Sequence, residues 1–464
     1  MKTAFWLAPL IGILLFLLPV PVTPQGHRML AIVGFSSTLW ITEAIPLPAT
    51  ALLAAVLTIL LGVASAADVF IIFADPIIFL FIGSFILAEA MRAHRLDRRF
   101  AHAILRRKWV RARSGRILFA FAAIAFVISM WVSNTATTAM MYPIALSIIA
   151  AFPERKIVGP FILLLTSFTA SIGGMATPVG TPPNLIGIAF LRNLAHESIS
   201  FPGWMKFALP IAAATFVAIY WTMRATLAKN LKNREIEELP AETYDAPTRK
   251  AQNNVALAFG ITVCLWLLPS LIGVFGGNQE WWESRIPESV AALIGALLLF
   301  LLPVDWRERK FTITWTQAQN INWGIILLFG GGLVIGKFLF KTGVAGVLGD
   351  SLASIYPFHS EFAYILLFTV LAVFISEFTS NTASANLILP ICIAVCQAAA
   401  IDAYKPALAA TLASSLGFML PISTAPNAIV FGSGLISIRT MVRYGIVLDL
   451  IGALIVAFGV YLLV

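Results

Sequence analysis

The sequence predicts an all-α polytopic membrane protein. It has eleven transmembrane helices and two re-entrant helical hairpins, arranged as an inverted-topology repeat. Three observations lead there: the composition, the lengths of the apolar segments, and a polar motif that occurs twice. Of 464 residues, 59% are apolar and 11% charged, against about 45–50% and about 25% in soluble domains. Mean hydropathy is +0.91. No globular fold hides that much apolar surface, so the lipid bilayer is a partner. The net charge of +9 would suggest nucleic acid in a soluble chain. In a membrane protein it follows from Lys and Arg kept in cytoplasmic loops, and no nucleic-acid partner is expected.

Spanning candidates are apolar segments of about 17–25 residues. They fall near 4–22, 28–44, 46–64, 76–91, 160–190, 205–228, 252–275, 286–304, 323–341, 405–438 and 442–463. The first ends in Pro19-Val20-Pro21-Val22-Thr23-Pro24 without an Ala-x-Ala site, so it reads as a membrane helix rather than a cleaved signal. The segments 160–190 and 405–438 are too long for one plain helix, and Gly and Pro interrupt both. Regions 117–152 and 361–400 are each broken by Ser-Asn-Thr and predict helical hairpins. Cys264, Cys392 and Cys396 lie in apolar runs and form neither a disulfide framework nor a zinc site.

Charge sets the orientation. Between Arg92 and Arg116 stand ten basic residues and one acid, Asp97. Such a short basic connection belongs in the cytoplasm. Counting spans from there places Lys229–Lys250 and Arg307–Lys310 inside as well. The N-terminus is then cytoplasmic and the C-terminus external, in the inner or plasma membrane.

The doubled motifs organise the chain. Ser133-Asn134-Thr135-Ala136 recurs as Ser380-Asn381-Thr382-Ala383, and Thr181-Pro182-Pro183-Asn184 recurs as Thr424-Ala425-Pro426-Asn427. The offsets are 247 and 243 residues. Phe81-Ile82-Gly83 aligns with Phe329-Gly330-Gly331 at 248, and Ile45-Pro46 with Ile286-Pro287 at 241. The expected division is an N-terminal helix at 1–25, a first repeat at 26–228, a cytoplasmic loop at 229–251 and a second repeat at 252–464. The first hairpin opens to the inside and the second to the outside. Inverted repeats with interrupted helices point to a secondary transporter whose site lies where the repeats meet.

The polar motifs supply the chemistry. Irregular backbone survives at membrane depth only inside protein or along a cavity. A hairpin tip presents free N–H groups and a positive helix end to an anion. It also presents free carbonyls to a cation. Ser, Thr and Asn side chains carry both donors and acceptors. Pro in the turns breaks the helix and frees further carbonyls. Two such tips suit a doubly charged anion flanked by sodium ions. No Lys or Arg stands at either tip.

These residues resemble the divalent anion–sodium symporter family, whose members carry dicarboxylates, citrate or sulfate. The likeness rests on Ile41-Thr42-Glu43-Ala44-Ile45-Pro46-Leu47-Pro48, both Ser-Asn-Thr tips and both Pro-Asn turns, and runs from about residue 28 to the end. It implies a homodimer with a fixed scaffold and a transport domain that moves as an elevator. It implies a first sodium at Ser129, Ser133, Asn134 and Gly180, and a second at Ser376, Thr379, Asn381 and Ser423. The anion would touch Asn134, Thr135, Thr181, Asn381, Thr382 and Thr424. Ala425 departs from the Thr-Pro-Pro-Asn pattern and widens the pocket beside Thr424.

The function expected is sodium-coupled uptake of a divalent organic anion such as a C4-dicarboxylate, with no cofactor besides the coupling ions. The alternatives are a sodium-independent dicarboxylate exchanger and a sulfate or citrate carrier. An enzyme is not expected: there is no His-Glu-x-x-His, Cys–base pair or carboxylate dyad at depth, and no phosphate-binding Gly-x-x-x-x-Gly-Lys-Ser/Thr loop. Glu89 and Lys337, 248 apart, could pair across the repeats or stand separately at helix ends. Glu377 reads as a structural partner of the second tip. The five histidines fall in predicted connections.

Overall fold

The computed structural model describes residues 2–105, 107–111, 113–152, 154–227, 249–355 and 360–464. The chain is helical almost throughout. Helix α1 (Lys2–Leu17) precedes two series of similar order. The first comprises α2 (Pro24–Thr42), α3 (Leu47–Leu60), α4 (Ala66–Phe70), α5 (Pro76–Ala93), α6 (Leu96–Leu105) and α7 (Lys108–Arg111). It continues with α8 (Ser114–Ser129), α9 (Asn134–Ala150), α10 (Arg155–Met175), α11 (Pro182–Phe190) and α12 (Phe201–Leu227). The second comprises α13 (Arg249–Val274), α14 (Gln279–Arg285), α15 (Glu288–Leu301), α16 (Trp315–Ala318), α17 (Trp323–Lys341) and α18 (Val344–Ile355). It continues with α19 (Glu361–Phe378), α20 (Asn381–Ala398), α21 (Tyr404–Ala413), α22 (Ala425–Phe431) and α23 (Ile438–Leu463).

The same polar residue types start equivalent helices. Asp75 accepts from the Ile77 N–H at the head of α5, and Asn322 from the Ile325 N–H at the head of α17. Ser133 and Ser380 cap α9 and α20 through the N–H groups of Ala136 and Ala383. Ser200 and Ser437 bond the N–H groups of Gly203 and Thr440 in the first turns of α12 and α23. Each side chain satisfies one of the N–H groups that a helix start leaves without a partner.

Packing between the two series is reciprocal. Helix α5 lies on α15, and α17 lies on α3. A Cβ on Gly83 would come within 2.6–2.7 Å of Ala292, and one on Gly331 within 2.5–2.7 Å of Ala51. Both pairs are equivalent positions of the two series. Absence of a side chain lets the backbones touch, as small residues do at membrane helix contacts. The rings of Phe81 and Phe329, also equivalent, meet at 5.4 Å. Helix α11 packs on α20 and α21, while α22 packs on α9 and α10.

Several expectations change. Among the described residues, eight helices are long and apolar enough to span, or nine if α14 and α15, bent by 56° at Ile286–Pro287, form one crossing. Eleven were expected. The difference lies partly in α1 and α3, which are short: α3 starts at Leu47, with Pro46 before it and Pro48 in its first turn, and Gly62, at φ +69°, follows its end. Both long apolar stretches are indeed divided, into α10 and α11 and into α21 and α22. Each Ser-Asn-Thr region is helix–turn–helix, α8–α9 and α19–α20. Most of the expected loop at 229–251 lies outside the described residues, but Arg249–Ala251 already belong to α13.

The all-α expectation missed a two-stranded antiparallel hairpin, β1 (Pro303–Asp305) with β2 (Lys310–Phe311). The Asp305 carboxylate accepts from the N–H groups of Arg307 and Glu308 and so folds the turn. Glu89 pairs with Arg92 on its own helix and Lys337 is exposed, so separate placement holds. His27 lies on α2 rather than in a connection, His102 lies on α6 within the Arg92–Arg116 connection, and His359 is outside the described residues.

Substituting Gly83→Ala or Gly331→Ala should lower the melting temperature in detergent, at about 1–3 kcal/mol each for forced separation of packed backbones. Gly346→Ala, where a Cβ meets nothing within 4 Å, should leave it unchanged. Equal effects at all three positions would refute the reciprocal backbone contacts. A second expectation concerns Asp97 on α6. Burial raises its carboxyl from the ordinary 3.8 to about 6, opposed by the Arg98 N–H. A carboxyl raised on folding favours the native state when protonated, so stability falls as pH climbs from about 4 through about 6. Asp97→Asn should therefore raise the melting temperature at pH 8, by at most about 3 kcal/mol, and do little at pH 4.

Candidate substrate and cation site

At the first break, α8 ends at Ser129 and α9 begins at Asn134. The Ser129 hydroxyl donates to Asn134 Oδ1 at 2.9 Å, and Asn134 Nδ2 donates to Thr181 Oγ1 at 3.5 Å. This ties the head of α9 to the head of α11. The Thr181 hydroxyl makes no cap bond to its own helix, which leaves it to Asn134. Gly174 admits the Asn134 amide, since a Cβ there would lie 2.3 Å from Oδ1. A Cβ on Gly180 would lie 2.5 Å from the Gly174 carbonyl and 2.9 Å from that of Met130. Glycine is therefore required where three stretches of irregular backbone meet.

The second break repeats this pattern with a difference. Ser376 Oγ lies 2.9 Å from Asn381 Oδ1 and 2.8 Å from the Ser414 carbonyl. Where the first tip has Met130, the second has Glu377. Its buried carboxylate accepts from the N–H groups of Met419 and Leu420, at 2.9 and 3.2 Å, and from the Ser423 hydroxyl at 2.7 Å. Asp449 of α23 is buried beside Glu377. Gly445, one turn earlier, allows this approach: a Cβ there would strike the Met419 backbone at 2.4 Å.

Two asparagines seal the breaks. Asn184 Nδ2 donates to the carbonyls of Gly174 and Thr177 at 2.9 and 2.7 Å. Asn427 Nδ2 donates to those of Gly417 and Leu420 at 2.8 and 3.0 Å. These are equivalent carbonyls. A single amide thus stands in for the N–H that Pro178 and Pro421, each four residues beyond the first of these carbonyls, cannot offer. Asn427 Oδ1 also accepts from Ser167 of α10 at 2.6 Å, joining the two series.

The structure therefore brings Ser129, Asn134, Gly180 and Thr181 together, and Ser376 with Asn381. Ser133 is the cap of α9, with its hydroxyl toward the Ala136 N–H. Thr379 turns its hydroxyl back to the Ile375 carbonyl at 2.9 Å, and Ser423 gives its own to Glu377. Those two expected sodium ligands are thus engaged locally. Thr424 Oγ1 accepts from the Asn427 N–H at 3.2 Å. Thr135 is exposed beside its tip and Thr382 half-buried beside the other. Sequence reasoning missed the sealing role of Asn184 and Asn427, although both stand in the quoted motifs. The signal was available: an Asn directly after a Pro and six residues after another, Pro178 or Pro421, at equivalent places in both halves.

The sodium:sulfate symporter transmembrane region matches residues 2–462 of the chain. An uncharacterized transporter of Haemophilus influenzae is 33% identical over 454 residues, covering 94% of this chain and 92% of the relative. The sodium-dependent dicarboxylate transporter SdcS of Staphylococcus saprophyticus is 33% identical over 482 residues, covering 99% and 90%. SdcS of Staphylococcus aureus is likewise 33% identical, covering 98% and 89%. Among solved structures, the YdaH transporter of Alcanivorax borkumensis superposes with a TM-score of 0.60 at 15% identity, over 83% of this chain and 85% of that one. That likeness concerns the fold alone.

Asn184→Ala or Asn427→Ala should destabilise strongly, because each orphans two buried carbonyls at about 1–3 kcal/mol apiece. Ser167→Ala removes one donor to Asn427 and should cost only about 1 kcal/mol. Thermal unfolding in detergent reads the order; a larger loss from Ser167→Ala would contradict the sealing role.

Proposed function

The chain belongs to the sodium:sulfate symporter family, and from that premise we propose that it couples inward sodium movement to uptake of a C4-dicarboxylate. It is a transporter and not an enzyme. The observation that carries the finer reading is the Ser129–Asn134–Thr181 cluster together with Ser376–Asn381. Both place hydroxyls and amides at helix starts, with no Lys or Arg. The heads of α9, α11, α20 and α22, at about half a positive charge each, come to about two charges. That matches a dianion. The names of the SdcS relatives support both sodium and dicarboxylate.

On this reading the anion meets Asn134, Thr135, Thr181, Asn381, Thr382 and Thr424. The first sodium meets Ser129, Ser133, Asn134 and Gly180, and the second meets Ser376, Thr379, Asn381 and Ser423. Occupation of the second would need Thr379 or Ser423 to turn from its present partner. The proposal keeps eleven crossings with two re-entrant hairpins and two inverted repeats, supported by the matched helix order and reciprocal packing. It also keeps a homodimeric elevator in the inner or plasma membrane, with the N-terminus inside and the C-terminus outside. The basic Arg92–Arg116 stretch supports that orientation. The close packing of α9, α10, α20, α21 and α22 supports one moving body.

The test is uptake of radiolabelled succinate into proteoliposomes, empty or preloaded with dicarboxylate, under a sodium or a potassium gradient. Sodium-dependent uptake into empty vesicles is expected. Asn134→Ala and Asn381→Ala should each lower it about tenfold or more, as loss of a hydrogen bond to a charged group does. Uptake only into preloaded vesicles, indifferent to sodium, would replace symport by exchange. Uptake of sulfate or citrate in place of succinate would overturn the substrate class.

A further inference from the structure

We propose that the groove between α6, α7, α8 and α12 binds an anionic phospholipid, headgroup at its basic end and acyl chain along α8. The groove encloses about 590 Å³. It runs along α8 toward the first break, with Val127 two residues before Ser129, but none of the residues assigned to the substrate or sodium sites lines it.

One end carries three guanidinium groups, from Arg113, Arg116 and Arg224. Neutral partners hold two of them. Arg116 Nη1 donates to the Trp109 carbonyl at 3.3 Å. Arg224 Nη1 donates to the Tyr220 hydroxyl at 3.4 Å, and its guanidinium lies 5.2 Å from the Trp221 ring centre. Gly115 leaves the space: a Cβ there would fall 2.9 Å from Arg224 Nη2. Among the described residues no acid lines the groove. These contacts hold Arg116 and Arg224 in place and leave the charge of all three guanidinium groups without an acidic partner among the described lining residues.

The other end is apolar. Phe119, Ala123 and Val127 recur every fourth residue and so share one face of α8. From Arg116 to Val127 the helix rises about 16 Å, room for most of an extended acyl chain. Phe119 and Val127 are 44% and 41% exposed, and Trp109 and Trp221 are 58% and 55% exposed. Tryptophans at that depth mark the headgroup level. Any lipid could cover the apolar face. The cluster of three guanidinium groups selects one with a negative headgroup, as basic clusters at membrane surfaces do.

Native mass spectrometry of the full-length protein in detergent tests this. The probes are phosphatidylglycerol and phosphatidylcholine of identical chains, and glycerophosphoglycerol as the headgroup alone. Phosphatidylglycerol should bind at least about tenfold more tightly than phosphatidylcholine, and each of Arg113→Gln, Arg116→Gln and Arg224→Gln should weaken it about fivefold. Arg307→Gln/Arg309→Gln, on the distant strand turn, should change nothing. Gly115→Val keeps every charge but displaces Arg224, and should weaken binding as Arg224→Gln does; it serves if an arginine variant fails to fold. Equal binding of the two lipids would overturn the proposal, as would indifference to the groove substitutions. Headgroup binding as tight as lipid binding would overturn the acyl slot.

Discussion

Everything in this fold depends on how backbone polar groups are satisfied where helices break inside an apolar medium. Pro178 and Pro421 carry no N–H to offer the carbonyls four residues back, those of Gly174 and Gly417, and water is not available at depth to replace it. The protein meets the deficit with one side-chain amide per break. Asn184 and Asn427 each close two carbonyls. Once those are closed, the hydroxyls and amides at the tips pair with one another and with nearby backbone. Glycines at 174 and 180 then set how closely the pieces approach. The same constraint explains why the Ser-Asn-Thr residues are small hydroxyls and amides: they supply both donors and acceptors, while the buried acid Glu377 beside the second tip is satisfied by two N–H groups and a hydroxyl.

Much of this was legible in the sequence, because the determinants are local and occur twice. A Ser-Asn-Thr run inside 30 apolar residues has few structural solutions, and two copies at nearly one offset reinforce each other. The first tip is the clearer case: Ser129, Asn134, Gly180 and Thr181 meet, although 47 residues separate Asn134 from Thr181. Helix ends were less legible. Apolar patterning continues through Leu60 to Val63, but the chain turns at Gly62 in a left-handed conformation. Side-chain partner choice was least legible. Thr379 and Ser423 carry the right chemistry for a cation, yet a helix carbonyl and the Glu377 carboxylate reach them first. Residue type gives capability, while geometry decides which capability is used.

The two breaks are alike in backbone and unlike in charge. Met130 at the first corresponds to Glu377 at the second. At the first, the Met130 carbonyl receives the Thr177 hydroxyl; at the second, Leu420 replaces Thr177 and the Glu377 side chain takes over the crosslink. Both links pin a hairpin tip to its broken helix. The second does so with an acid that accepts from two N–H groups and a hydroxyl. The second hairpin is also the one where Thr424 caps its own helix, whereas Thr181 at the first accepts from Asn134.

The scarcity of fixed positive charge at the tips bears directly on coupling. A site lined by arginine would hold a dianion whether or not a cation were present, and would release it as reluctantly. Helix ends and hydroxyls hold it weakly alone. A dianion near the membrane centre is then stable only when mobile cations accompany it, because even one uncompensated charge costs roughly 2.5–3.5 kcal/mol there. On the proposed reading, sodium at Ser129 and Asn134 supplies the missing charge, and the same Asn134 amide that contacts the anion also orients the Ser129 hydroxyl. Anion and cation are thus joined through one side chain, and neither can occupy the site without altering the affinity for the other.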